Sequence, residues 1–384
     1  MVLYMSKRKN SPKIIISGYY GFDNCGDEAV LFAMIHCLKE LLPNVRITVL
    51  SANPKKTFEL YGVKAVNRWN PVRVAFAILT CRLLISGGGS LLQDVTSAKS
   101  PGYYLGVIRI AHLLGKKVMI YSQGIGPLNL AKNRAGVAKV LGRCHAITLR
   151  DERSAELLND LGVSRDIAVT CDPVMALSRE DIINDAVKEN LRKLGIFNDS
   201  TVELNPSLFV SVRCWEDDRH IAPIAEFLDS QAGEGWDVIL VPAHFPEDLD
   251  AIAMLSARMA TRPHCIERCL TAHEFLALTA LADKVFSMRL HGLICAMAMG
   301  TPMLALSYDP KVEAFMEQAG LERYCQSFEN FDVETTKRWM EEMDNLPFQF
   351  RQEREARRLE LQDLAWDTAD VAVWLLETDA GSGR

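Results

Sequence analysis

Residues 282–309 read ADKVFSMRLHGLICAMAMGTPMLALSYD. An apolar strand at Val285–Phe286 runs into Ser287, Arg289 and His291, a helix of small residues follows at once, and Pro302–Leu306 reads as a second strand. Strand, crossover helix and strand in so short a span make a parallel pair. The pattern also sets a fixed cation and a titratable imidazole two residues apart, where the strand ends and the helix begins. Free backbone N–H groups and the helix dipole favour an anion at that point, and open α/β sheets bind their ligands along that edge. Gly292, Ala296, Ala298 and Gly300 keep the helix thin and its start accessible. The plainer reading makes His291 a helix cap and leaves Arg289 facing solvent.

The same rhythm extends outward in both directions. Lys13–Ser17, Arg46–Leu50, Leu83–Ser86, Lys117–Ser122, Ala146–Leu149 and Ala168–Thr170 read as strands in the first half; Leu208–Val212, Asp237–Val241, His264–Glu267, Lys284–Ser287 and Pro302–Leu306 do so in the second. Continuous Val, Ile and Leu runs separated by helical patterns mean parallel sheets covered on both faces. The strand signal fades between Asp172 and Pro206. The predicted division is therefore a Rossmann-like domain over 1–175, a linker over 176–206, a second Rossmann-like domain over 207–345 and a helical segment over 346–384. That last segment is long enough to pack back across both domains, or to cap the second alone.

The 384 residues suggest about two to three domains, and 49% apolar residues suffice for buried cores. A net charge of −6 argues against a general nucleic-acid binder, which needs a basic footprint. Ten scattered cysteines without a CxxC pair fit a reducing compartment. The spacing His264-Cys265-x3-Cys269-x3-His273 matches no common zinc pattern, and no carboxylate cluster suggests a metal. The longest apolar run, Val74–Ile85, is interrupted by Arg82 and too short to cross a bilayer. A soluble cytoplasmic protein is expected, with a small Lys7–Lys9 patch as a weak hint of contact with the inner face of the membrane.

Glycine-rich loops end several of the strands. Gly18-Tyr19-Tyr20-Gly21-Phe22-Asp23-Asn24-Cys25-Gly26-Asp27-Glu28 follows the first. It is neither GxGxxG nor a Walker loop, which disfavours a standard dinucleotide or nucleotide site. Asn24 and Asp27 could meet sugar hydroxyls, or simply cap a helix, as Glu28 would. Gly87-Gly88-Gly89-Ser90-Leu91-Leu92-Gln93-Asp94 follows another strand; Ser90 with Gln93 spells a capping box, and the glycines leave room for a ligand. Gln123-Gly124-Ile125-Gly126-Pro127 is a third. Arg150 and Arg213 each follow a strand directly, placed either to reach a ligand or to form a surface ion pair. Lys311, after Tyr308-Asp309-Pro310, could add a cation.

Taken together, YYGFDNCGDE, ISGGGSLLQD, SQGIGP, TLRDERS, SMRLHGLICAMAMGTP and YDPK resemble the polysaccharide pyruvyl transferase family over nearly the whole chain, most closely its CsaB type. The resemblance implies a GT-B-like fold, two Rossmann-like domains facing across a cleft. It also implies transfer of a pyruvyl group from phosphoenolpyruvate to a sugar diol as a cyclic ketal, with release of phosphate. The family's donor-binding arginine matches Arg150, its Arg-Leu-His signature matches Arg289, Leu290 and His291, and its later basic residue matches Lys311. On this footing His291 and Arg150 are the expected catalytic residues, and His291 the acid. Gly18, Tyr19, Asn24, Asp27, Gly88, Gly89, Asp94 and Arg213 are expected toward the acceptor. For CsaB-like members that acceptor is N-acetylmannosamine in a lipid-linked cell-wall precursor, whose product anchors surface-layer proteins. No cofactor and no metal are expected. The alternatives are a GT-B glycosyltransferase using a nucleotide sugar and a non-catalytic sugar- or phosphate-binding module.

Overall fold

The computed structural model describes residues 11–95, 97–195, 206–216 and 218–378. The Lys7–Lys9 patch lies outside them. Among the described residues thirteen strands form two sheets, each parallel throughout. The first contains β1 (Lys13–Ser17), β2 (Arg46–Ser51), β3 (Lys64–Asn67), β4 (Leu83–Gly87), β5 (Lys117–Gln123), β6 (Ala146–Leu149) and β7 (Ile167–Val169), in the order β3-β2-β1-β4-β5-β6-β7. The second contains β8 (Ser207–Ser211), β9 (Asp237–Leu240), β10 (His264–Cys265), β11 (Lys284–Ser287), β12 (Met303–Ser307) and β13 (Cys325–Ser327), in the order β10-β9-β8-β11-β12-β13.

Central strands are apolar because helices cover both of their faces. All five residues of β4 and of β8 are buried, and Ile15, Leu84, Ile120 and Ile147 share one core. The short strands β3 and β13 lie at sheet edges, are only partly buried, and carry too little apolar pattern to stand out in the sequence. The run Val74–Ile85 splits instead of continuing: a helix ends at Thr80 and β4 starts at Leu83. Two helices that periodicity did not single out, Pro54–Tyr61 and Pro71–Thr80, begin at Asn-Pro pairs. In each the Asn side chain accepts an N–H of the first turn and Pro takes the first helical position, where no donor is needed.

The chain divides into two compact units. Of the described residues, the first comprises those within 11–22, 30–176 and 363–378, and the second those within 23–29 and 177–362. Residues 179–192, inside the stretch expected as a linker, form helices Arg179–Ile182 and Asp185–Arg192 of the second unit, anchored through buried Ile182, Val187 and Leu191. The segment 23–29 groups with the second unit because its backbone is tied there. Cys25 N–H donates to the Ala243 carbonyl at 2.7 Å, Phe245 N–H donates to the Asp23 carbonyl at 3.1 Å, and Asn24 bridges His244. The final helix, Phe348–Glu377, contributes Ala365, Ala369, Ala372, Leu375 and Leu376 to the buried set of the first unit. Among the described residues, no helix is long and apolar enough to cross a membrane.

Candidate active site

In the second unit, strands β8, β11 and β12 are neighbours, so whatever follows their carboxyl ends is brought together. β11 ends at Ser287, whose hydroxyl donates to the carbonyls of Arg289 at 2.8 Å and Ser211 at 3.3 Å. This fixes the turn into the helix Leu290–Met299. Arg289 is the residue before that helix, Leu290 its first residue and His291 its second. A Cβ on Gly292 would crowd the Ser287 hydroxyl, so glycine lets the helix start close against the strand end. From Gly292 to Met299 the helix is wholly buried.

Arg289 does not face solvent. Its Nε donates to Asp248 Oδ2 at 3.1 Å and its Nη2 to Asp248 Oδ1. Asp248 is fully buried and also accepts the N–H groups of Ala243 and His244, at 3.0 and 2.9 Å. The carboxylate thus sets the guanidinium plane and offsets much of its charge, while among the described residues nothing engages Nη1. Sequence reading missed Asp248: it lies 41 residues before Arg289 and looks like an ordinary helix-start aspartate.

His291 is matched by a feature 265 residues away. A Cβ built on Gly26 would collide with the His291 ring. The first turn of helix Cys25–Leu41 therefore lies directly on the imidazole, and only glycine leaves the ring its space. This joins the early and the late motif within one unit. Asn24 is a capping residue: its Oδ1 accepts the N–H groups of Gly26 at 3.0 Å and Asp27 at 3.2 Å. Cys25 donates its thiol to the Leu270 carbonyl at 3.5 Å, and burial pushes its pKa well above the usual range.

Arg213, expected on the acceptor side, belongs to this same edge. It follows β8 and donates from Nη1 to the Tyr308 hydroxyl at 3.3 Å, its guanidinium lying 5.2 Å from the ring centres of both Trp215 and Tyr308. Among the described residues no carboxylate pairs with it, whereas Arg289 is already paired. Lys311 lies in the first turn of helix Pro310–Gln318, after β12; its Nζ is 3.7 Å from Asp309 Oδ2. The ends of β8, β11 and β12 are therefore followed by Arg213, by Arg289 with His291, and by Lys311, the last two groups at the starts of two successive helices.

The first unit has its own cluster, built on Arg150. Only 6% exposed, this residue does pair with its neighbour Asp151, at 3.7 Å from Nε, but the pair is largely buried and not on the surface. Nη1 donates to Asp172 at 3.2 Å and Nη2 to the Ser90 hydroxyl at 2.9 Å. A Cβ on Gly124 would come within 2.9 Å of Nε, so that glycine exists to admit the guanidinium. The capping-box reading of Ser90 and Gln93 fails, because the next helix starts only at Ser100. Ser90 serves the arginine, and the Gln93 side chain accepts the Val95 N–H at 2.8 Å. Asp94 accepts the N–H groups of Asn129 and Leu130 and the Asn133 amide, at 2.7, 2.9 and 3.0 Å. Burial alone would raise its pKa, but these donors outweigh that and hold it below the usual carboxylate range. It fastens two loops together. Gly88, at φ +52°, presses on Val30, and Gly89 accepts the Gly124 N–H at 3.0 Å. Gly18 accepts a 2.7 Å bond from Arg68, and Tyr19 stacks on Phe22 at 4.1 Å. The missing side chains at 88 and 124 thus let loops and side chains approach one another.

The family model for polysaccharide pyruvyl transferase matches residues 24–310, from the capping asparagine to the turn after β12. The chain belongs to the polysaccharide pyruvyl transferase family. As a member of that family it is a transferase, and both arginine clusters and the imidazole lie inside the matched span. Solved structures give the fold. UDP-GlcNAc 2-epimerase from Neisseria meningitidis is 12% identical with TM-score 0.63, over 95% of this chain and 100% of that one. A putative UDP-N-acetylglucosamine 2-epimerase from Listeria monocytogenes is 12% identical with TM-score 0.62, over 97% and 98%. Anabaena HepE, solved with UDP-glucose, is 15% identical with TM-score 0.60, over 96% and 99%. These likenesses make this pyruvyl transferase a GT-B-type protein of two parallel Rossmann-like sheets with a helical carboxyl-terminal segment. A comparison with curated proteins found no match. Among the described residues no group of three or more His, Cys, Asp or Glu is placed to hold a metal.

Proposed function

We propose that this pyruvyl transferase takes its pyruvyl group from phosphoenolpyruvate and moves it to a sugar diol, N-acetylmannosamine of a lipid-linked cell-wall precursor, as in the CsaB type. The observation that carries the reading is the grouping of Arg213, Arg289, His291 and Lys311 at the ends of three neighbouring strands. Phosphoenolpyruvate is a small trianion with two planar-fork targets, its carboxylate and its phosphate, and guanidinium groups pair with both. Arg213, with no carboxylate partner among the described residues, supplies uncompensated charge. Arg289, oriented by Asp248, supplies directed N–H donors. The amino end of helix Leu290–Met299 adds its dipole.

In the reaction, His291 gives a proton to C3 of the enol, which makes C2 electrophilic. A sugar hydroxyl forms a bond to C2 and its proton returns to the imidazole. The C2–O bond to phosphate then breaks, the neighbouring hydroxyl closes the ketal, and its proton leaves with the phosphate. Each pyruvyl transferred releases one phosphate, with no redox change.

The test is phosphate release from phosphoenolpyruvate against a panel of lipid-linked and synthetic disaccharides. His291→Ala is expected to lower kcat by about 10²–10⁴-fold at little cost in donor binding. Near-normal turnover by that variant removes His291 from the acid role. Turnover of a nucleotide sugar without use of phosphoenolpyruvate would replace the whole reading.

A further inference from the structure

Large apolar side chains are exposed along the two helices that flank β3 in the first unit. Helix Pro71–Thr80 buries only Val74 and Ile78; Val72 is 76% exposed and Phe76 68%. Leu79, and Phe58 of helix Pro54–Tyr61, are each more than half exposed as well. An ordinary surface helix turns such residues inward. Phe58 and Phe76 come from different helices yet line one groove of about 770 Å³ beside the edge strand β3. Lys13, Lys39, Arg46 and Lys64 line it too, and no carboxylate does. Three of these cations open or precede strands: Lys13 starts β1, Arg46 β2 and Lys64 β3. The flanking helices add Lys55, Lys56 and Arg73 against a single carboxylate, Glu59, which pairs with Lys55 at 3.8 Å. In a chain of net charge −6 this is a local reversal of sign.

We infer that this face docks on an anionic phospholipid bilayer, with Phe58, Val72, Phe76 and Leu79 entering the headgroup–acyl boundary and the cations meeting lipid phosphates. Apolar residues backed by basic ones are what an interfacial surface requires. Charge decides against a second copy of the chain. A two-fold pair would set this face against itself, cation against cation. The inference stands apart from the identity of the acceptor and needs no catalysis to be tested.

The experiment is vesicle co-sedimentation of the full-length protein. Binding is expected to vesicles of mixed phosphatidylglycerol and phosphatidylcholine, to be weaker on phosphatidylcholine alone, and to fall with salt. Phe58→Ser with Phe76→Ser should weaken it by about tenfold or more, with the melting temperature and phosphate release from phosphoenolpyruvate with a water-soluble acceptor unchanged. Should that pair fail to fold, Lys39→Gln with Lys64→Gln provides the second measurement, an expected loss of about fivefold per charge on the anionic vesicles. Equal binding by wild type and a folded variant overturns the inference. So does absence of vesicle binding together with a concentration-dependent dimer that the phenylalanine substitutions abolish.

Discussion

At the residue scale, the fixed groups of the second unit owe their positions to partners far away in sequence. Gly26 is the clearest case. Its missing Cβ is the space occupied by the His291 ring, so Gly26→Ala should push the imidazole aside. A misplacement of about 1 Å can cost on the order of 10²-fold in rate. The expected outcome is a fall in kcat of about that size, with a stability loss of only about 1–3 kcal/mol from overpacking. Steady-state kinetics beside a thermal melt checks both; an unaltered kcat would show that the ring is not held there. Asp248 is the second case. Its removal leaves the largely buried Arg289 guanidinium without a counter-charge and strands the N–H groups of Ala243 and His244. Asp248→Ala should cost about 3–5 kcal/mol, read as a lowered denaturant midpoint. A midpoint equal to that of wild type would mean that solvent already screens the pair.

At the scale of elements, function depends on how strand ends are tied to helix starts. Asp94 ties the loop after β4 to the start of helix Ala131–Leu141 through Asn129, Leu130 and Asn133. Its folded pKa is depressed, so its contribution is present above the unfolded carboxylate pKa of about 3.9 and is lost as pH falls through the lower folded value. Asp94→Asn should therefore destabilise by about 1–3 kcal/mol at neutral pH and by progressively less below about pH 4. Urea melts at pH 7 and pH 3 test this, and an equal loss at both would contradict the assignment. The same loop shows the limit of a local motif. Ser90 and Gln93 have the spacing of a capping box, yet no helix follows them, because Arg150 claims the serine hydroxyl.

For the whole molecule, the carboxyl-terminal helix matters most to the first unit. Thr368 closes a buried triangle of hydroxyls with Ser122 and Thr170, at 3.0–3.1 Å. Lys117 Nζ and Arg82 Nη2 donate to the carbonyls of Leu375 and Leu376, at 2.6 and 2.9 Å. Thr368→Val keeps the shape and removes one corner of the triangle, so a loss of about 0.5–1.5 kcal/mol is expected. Limited proteolysis should show faster cleavage within residues 363–378, and a protection pattern like that of wild type would argue that the helix is held by its apolar face alone.

The sequence by itself determined the sheets. Short Val, Ile and Leu runs bounded by glycines and alternating with helical patterns are what strands covered on both faces require, and that signal is local to each run. It also pointed to Arg150, Arg213, Arg289, His291 and Lys311, because a charge directly after an apolar strand is conspicuous without any knowledge of its surroundings. Two helices starting at Asn-Pro pairs were written there as well, although periodicity overlooked them. Only the tertiary structure decided what those residues do. Strand order, which no local pattern encodes, makes β8, β11 and β12 neighbours and so sets Arg213 at the same edge as Arg289. It pairs Arg289 with Asp248 and Arg150 with Asp172, and it makes Gly26 and Gly124 the room for an imidazole and a guanidinium. The physical reason is that a charge's role depends on which counter-charge reaches it, and that is fixed by packing across tens to hundreds of residues of intervening chain.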